Sequence, residues 1–271
     1  MNMKKNKKLL AGIGALVILV IAGGIFAYTQ LTKKPATTEG AEKRKIAEPL
    51  NVIPIAERPY LQIAPVADGR NIQIIVKELK KPANNMEYEL EYQSGTLLQG
   101  IFGLLDLSTI PASVTELMGS CSAGGACTYH EDIKGGTLLT RYEGPENYAL
   151  KSDWKYFNNV GRETEISSKD AKFQLNSSAL STIRYLVIFN TAGYPEGLEG
   201  QLVSEIYSFA TSANVLSGTG TLTMRAAEEG ELKIMGWNGT EWVEFAGEID
   251  PEDPKMISAE VELMELYLVV K

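Results

Sequence analysis

Residues 9 to 28, LLAGIGALVILVIAGGIFAY, make a run of twenty without a charged side chain. Wound as a helix at about 1.5 Å per residue, such a run is about 30 Å long, the thickness of a bilayer's hydrocarbon core. A helix also satisfies its own backbone polar groups in lipid, so a single transmembrane helix from Leu9 to Tyr28 is expected. Lys4, Lys5, Lys7 and Lys8 precede it, and only Lys33 and Lys34 follow it closely. That bias predicts a cytoplasmic basic stub at residues 1–8 and an extracytoplasmic body, a single-pass protein of the cell membrane with its N-terminus inside. Phe26 and Tyr28 stand where an interfacial aromatic anchor belongs. The competing reading is a cleaved signal peptide with Leu9 to Ile21 as its apolar core and Ala22-Gly23-Gly24 as the cleavage site. The apolar run continues past that site, which favours an uncleaved anchor. Neither a lipid-anchoring cysteine nor a type IV pilin pattern accompanies the segment.

Residues 29–57 read as a flexible tether. Lys34-Pro35-Ala36-Thr37-Thr38-Glu39-Gly40 is polar and broken by Pro and Gly, and a composition of that kind buries too little apolar surface to order itself. Beyond it lie about 210 residues, enough for one large or two small domains. The chain carries 26 basic and 34 acidic residues; setting aside the six lysines at 4, 5, 7, 8, 33 and 34 leaves the exported part at about −14. That balance argues against nucleic acid as a partner.

The body alternates with period two. Ile72, Ile74 and Val76 share one parity; Tyr88, Leu90 and Tyr92 share one against Glu87, Glu89 and Glu91; Tyr148, Leu150, Trp154 and Tyr156 share another. Half-buried antiparallel strands require this pattern. Asp68-Gly69 and Lys81-Pro82-Ala83-Asn84-Asn85 are turn signals between such runs. Leu97 to Leu107 is more apolar, with Gly100 and Gly103 inside, and reads as a bulged strand, with a short buried helix as the alternative. Residues 158 to 171 are polar and read as a domain boundary. Strands resume at Ile183 to Asn190 and Gly220 to Arg225. Asn238-Gly239 then predicts a hairpin in which Trp237 and Trp242 pair across the strands. Val261 to Met264 and Leu266 to Val270 read as one bent strand. The expected fold is mainly β: two antiparallel β-sandwich domains, 58–160 and 170–271, behind the membrane helix.

Around the hairpin, Leu232-Lys233-Ile234-Met235-Gly236-Trp237-Asn238-Gly239-Thr240-Glu241-Trp242-Val243, with the later Ile257-Ser258-Ala259-Glu260-Val261, resembles the C-terminal modules of bacterial surface proteins. Residues 59 to 157 resemble an immunoglobulin-like or fibronectin-III-like sandwich. The resemblance implies architecture and carries no chemistry. A His usually precedes the closing strand in such modules; here Leu263 or Met264 stands there, and the Cys-Trp-Cys spacing of antibody domains is absent.

Cys121 and Cys127, in the run C-S-A-G-G-A-C, are expected to form a disulfide at a hairpin end, because close thiols oxidise outside the cytoplasm. His130 is the single histidine. A metal site at Cys-x5-Cys-x2-His lacks a fourth ligand. A Cys121, His130 and Asp132 set would make a hydrolase only if Cys121 were free of disulfide. A carboxylate pair is the other enzymatic option, since Asp and Glu are plentiful. Asp250, Glu252 and Asp253 gather in one loop as candidate calcium ligands, without the Asp-x-Asp-x-Asp-Gly pattern. Trp237 and Trp242 are the candidate binding residues, for a protein or glycan partner. The expected function is therefore a membrane-tethered binding or structural module of the cell envelope, for adhesion, scaffolding or partner docking, without cofactor or catalysis. An envelope hydrolase and a subunit of an export or pilus complex are the alternatives.

Overall fold

A computed structural model describes residues 49–213 and 216–271. The expected stub, the membrane helix Leu9–Tyr28 and most of the tether lie outside the described residues. Among the described residues no helix is long and apolar enough to cross a membrane. The tether expected through residue 57 is attached to the body earlier than that. Leu50 bridges to Ala149, and the Asn51 side chain donates to the Lys151 carbonyl and accepts from its N–H, both at 3.0 Å.

The body is built of strands. In chain order they are β1 (Tyr60–Pro65), β2 (Asn71–Glu78), β3 (Asn85–Ser94), β4 (Leu97–Asp106), β5 (Ala112–Leu117), β6 (Gly119–Cys121), β7 (Cys127–Tyr129), β8 (Ile133–Glu143), β9 (Tyr148–Asn158), β10 (Glu165–Ser167), β11 (Phe173–Asn176), β12 (Tyr185–Asn190), β13 (Tyr207–Thr211), β14 (Thr219–Arg225), β15 (Lys233–Trp237), β16 (Trp242–Phe245), β17 (Glu248–Ile249), β18 (Met256–Glu262) and β19 (Leu266–Val270). Short 3-10 turns occupy Ile55–Glu57 and Ser178–Thr182. A nine-stranded sheet runs β16-β15-β19-β13-β12-β9-β8-β3-β4. A three-stranded sheet, β1-β2-β5, and a five-stranded one, β10-β11-β14-β18-β17, accompany it, and β6 and β7 form a separate ribbon.

The two smaller sheets cover opposite faces of the large one. Successive side chains of a strand point to opposite faces, and β12 uses both. Val187 and Phe189 join the core that contains Leu61, Ile72 and Ile74 from the three-stranded sheet. Leu186 and Ile188 join the core that contains Phe173, Leu222 and Ile257 from the five-stranded sheet. Each large apolar side chain fully withdrawn from water contributes about 1.5–3 kcal/mol, so a strand buried on both faces ties the two layers together. This changes the expected domain plan. The polar stretch 158 to 171 turns the chain from one layer to the next without ending the sheet: Asn158 stands opposite Tyr185 as β9 pairs with β12. Pro49 to Lys271 make one compact unit.

Two strand assignments also change. The run from Leu97 is a regular ten-residue strand in unbroken register with β3, neither bulged nor helical; the register shift lies at Gln93/Ser94, where β3 meets β8. The room a bulge would have supplied comes from Gly103, which stands opposite Tyr88 and leaves space for its ring. The supposed bent strand at the C-terminus is two strands in different sheets: β18 pairs with β14, and β19 pairs with β15 and β13. The chain crosses between layers at 263–265, where the Tyr267 hydroxyl accepts from the Met264 N–H at 2.7 Å.

Candidate functional site: an aromatic cleft at one end of the large sheet

The hairpin of β15 and β16 forms one end of the nine-stranded sheet. Its loop is four residues long, Asn238 to Glu241, instead of the two-residue turn that Asn-Gly suggests. The Asn238 side-chain oxygen accepts from the N–H groups of Thr240 and Glu241 at 2.9 and 3.0 Å, and Gly239 takes a φ of 102°, open to a residue without Cβ. The loop leaves Trp237 directly opposite Trp242. Their rings lie 5.4 Å apart at 59°, a tilted pair that neither buries fully.

The segment 193–200, Gly-Tyr-Pro-Glu-Gly-Leu-Glu-Gly, is laid against this pair. Gly197 and Gly200 take φ values of 82° and 90°, which bend the loop across the sheet. The Trp242 indole N–H donates to the Glu196 carbonyl at 3.0 Å, and the Tyr194 ring meets Trp242 edge-on at 6.5 Å. On its other side Tyr194 carries the Lys80 ammonium 4.2 Å from its ring centroid. Burial lowers the Lys80 pKa against the opposing pull of Glu78 and Glu196. Beneath the loop, Tyr60, Ile206, Met235, Leu266, Leu268 and Val270 form a third apolar cluster, with Trp237 and Trp242 packed at its margin.

Between loop and hairpin lies a cleft of about 800 Å³. Its aromatic wall is Trp237 and Trp242, its floor includes Met235 and Val270, and Glu196, Glu199, Glu231, Glu241 and Glu244 stand around it. Lys233 and Lys271 also line it, but both are engaged: Lys233 with Glu244 at 2.9 Å, and Lys271 with Glu228. The cleft therefore combines indole π-faces with excess negative charge. An indole face beside negative charge is chemically suited to a flat or cationic group. The acid groups around it are five glutamates, and Thr240 supplies the one hydroxyl of its lining.

The other residues singled out in the sequence lie elsewhere. Cys121 and Cys127 face each other across β6 and β7, with their sulfurs 2.01 Å apart in a disulfide. Cys121 therefore has no thiol to offer as a nucleophile. His130 shares its Nδ1 with the Tyr92 hydroxyl at 2.7 Å, and burial pushes that hydroxyl's pKa up to about 12. Asp132 lies 3.7 Å from Lys134. The carboxylates of the acidic loop serve the turn instead of converging: Asp250 accepts from the Glu252 N–H at 2.8 Å, and Asp253 pairs with Arg225. Among the described residues no group of three or more His, Cys, Asp or Glu side chains is placed to hold a metal ion. Trp154, the third tryptophan, is core; its indole donates to the Glu91 carbonyl at 3.2 Å.

Sequence reasoning found the two tryptophans but not the loop that completes their cleft. The glycine spacing in Gly193 to Gly200 marked a loop; nothing local said that it folds onto a strand some forty residues later. No protein-family model, curated protein or solved structure matches the chain.

Proposed function

We propose that this chain is a membrane-tethered, extracytoplasmic docking module, held by the Leu9–Tyr28 segment, whose binding site is the cleft between the 193–200 loop and the Trp237/Trp242 pair. The observation that carries the reading is the pairing of two partly buried indoles with five glutamates around one cleft. The indole surface left in water at a cleft is stabilised when a partner covers it, and aromatic faces attract cations by about 0.5–2 kcal/mol each. The favoured partner is a protein segment that presents a lysine or arginine side chain to the indoles. The surrounding acids would steer such a segment in and disfavour acidic competitors. The immunoglobulin-like resemblance suits a module that displays a site on a sheet framework, and the anchor supplies its place at the cell surface.

The test is tryptophan fluorescence of the full chain in detergent micelles, titrated with a lysine- and arginine-rich decapeptide. Saturable quenching that weakens about tenfold in W242F and in the double variant E199Q/E241Q supports the reading. Equal affinity for a decapeptide with glutamate in place of each basic residue would refute it. Saturation by a neutral oligosaccharide in place of the basic peptide would assign the cleft to glycan stacking instead.

A further inference from the structure

The opposite end of the nine-stranded sheet carries an independent surface. β4 is the terminal strand there, and among the described residues no other strand pairs with its outer edge. Of the ten large apolar side chains exposed on the described residues, four belong to this one strand: Leu97 at 63%, Leu98 at 71%, Phe102 at 68% and Leu104 at 61%. Leu98, Phe102 and Leu104 share one face with Gly100, on the side away from the core. The other edges of the two larger sheets are short: β16 has four residues, β10 three and β17 two. Soluble proteins protect sheet edges by shortness, charge, proline or bulges. β4 has ten residues and unbroken register, without proline, and its only charge is Asp106 at the far end.

We propose that β4 is a self-association edge, where two copies of this chain pair antiparallel through β4 and join their sheets into one. The strand's sequence is complementary to itself about Ile101. In that register Leu98 faces Leu104 of the second copy, and Phe102 faces Gly100. Each apolar side chain thus meets an apolar side chain or the space left by a missing one. Phe102 already leans over Gly100 of its own strand, 3.1 Å from where a Cβ would stand. Moving the register by two residues in one direction sets Leu98 against Asp106, and in the other sets Leu104 against Thr96, in the turn before the strand. The Ile101-centred pairing avoids both. Antiparallel pairing along the edge satisfies the outward backbone groups of β4 and brings these side chains flank to flank. The acidic row of Glu87, Glu89 and Glu91 on β3 does not oppose this. Across β4 and its mate, the two rows are three strand spacings apart, about 14 Å, beyond the Debye length of about 8 Å at physiological salt.

The experiment is sedimentation equilibrium of the full chain in density-matched detergent, with F102K and L104K as variants. Both positions face solvent in the single copy, so the substitutions leave its fold intact; unchanged near-ultraviolet circular dichroism checks this. The wild type is expected to be dimeric, with a dissociation constant raised at least about tenfold in either variant. Oxidation should cross-link L98C/L104C between copies but not L98C alone, because position 98 does not face itself in this register. A monomeric wild type at 100 µM protein would overturn the proposal. So would a dimer that persists unchanged in F102K, since the association would then lie in the anchor or elsewhere. Vesicle binding by a monomer, lost in F102K, would assign the patch to lipid and overturn it as well.

Discussion

At one end of the nine-stranded sheet a ten-residue strand shows apolar side chains to solvent, and among the described residues no further strand pairs with it. At the other a four-residue strand ends the sheet, and a glycine-bent loop and two tryptophans close over its face. Both ends are edges of the same sheet, and both leave large hydrophobic groups incompletely covered. They differ in what surrounds those groups. Around Trp237 and Trp242 stand glutamates, an indole hydrogen bond and a concave wall, features that suit the cationic partner proposed above. Around Phe102 and Leu104 there is an open row of backbone groups, which suits the second strand proposed above. The contrast teaches that edge length decides the kind of recognition: a long bare edge offers a repeating ladder, and a short one leaves only side chains to specify a partner.

Four outcomes would break or sharpen that contrast, beginning with the largest. Trp154, buried in the middle of the sheet, sets the scale: Trp154→Ala should cost about 3–5 kcal/mol in urea unfolding. Trp242→Ala should cost about 2 kcal/mol, since its ring is only partly withdrawn from water; a cost equal to that of Trp154 would make the cleft a piece of core and remove its claim to function.

Asp170 separates the two halves by pH. Burial tends to raise its pKa, but hydrogen bonds from the Ser168 and Tyr207 hydroxyls and the Lys172 N–H, with the Lys172 charge, outweigh burial and hold it below the usual aspartate range. A depressed folded-state pKa stabilises the fold fully above about pH 4, and the stabilisation fades as pH falls through the lower folded value. Asp170→Asn should therefore cost about 1 kcal/mol at neutral pH, and it should flatten the acid limb of a melting-temperature profile. An acid limb unchanged by the substitution would show that the second core does not depend on this carboxylate.

The smallest effect belongs to the bare edge. Phe102→Lys should change the unfolding free energy of the dissociated chain by less than about 0.5 kcal/mol, because the side chain is already in water. A larger loss, measured at concentrations where only single copies exist, would mean that Phe102 holds the monomer together and is not free to pair.

The sequence by itself determined which side chains face inward on the strands that alternate cleanly. Tyr88, Leu90 and Tyr92 are buried as their parity required, and so are Tyr148, Leu150, Trp154 and Tyr156. Alternation is a local consequence of extended backbone geometry, legible wherever one face meets water. The two tryptophans were also legible as a hairpin pair, although a two-residue Asn-Gly turn would set Trp237 opposite Thr240 and only the four-residue loop sets it opposite Trp242. The candidate site was legible only to that extent, because its second wall comes from residues 193–200 and closes through a hydrogen bond to the Glu196 backbone. Only the tertiary structure decided which sheet each strand joined: that β18 and β19 part into different layers, that β12 is buried on both faces, and that β4 ends the row. Ladder hydrogen bonds are made by backbone groups common to every residue, so they carry no mark of their partner in the sequence; the choice falls to how apolar faces from distant segments can be covered together.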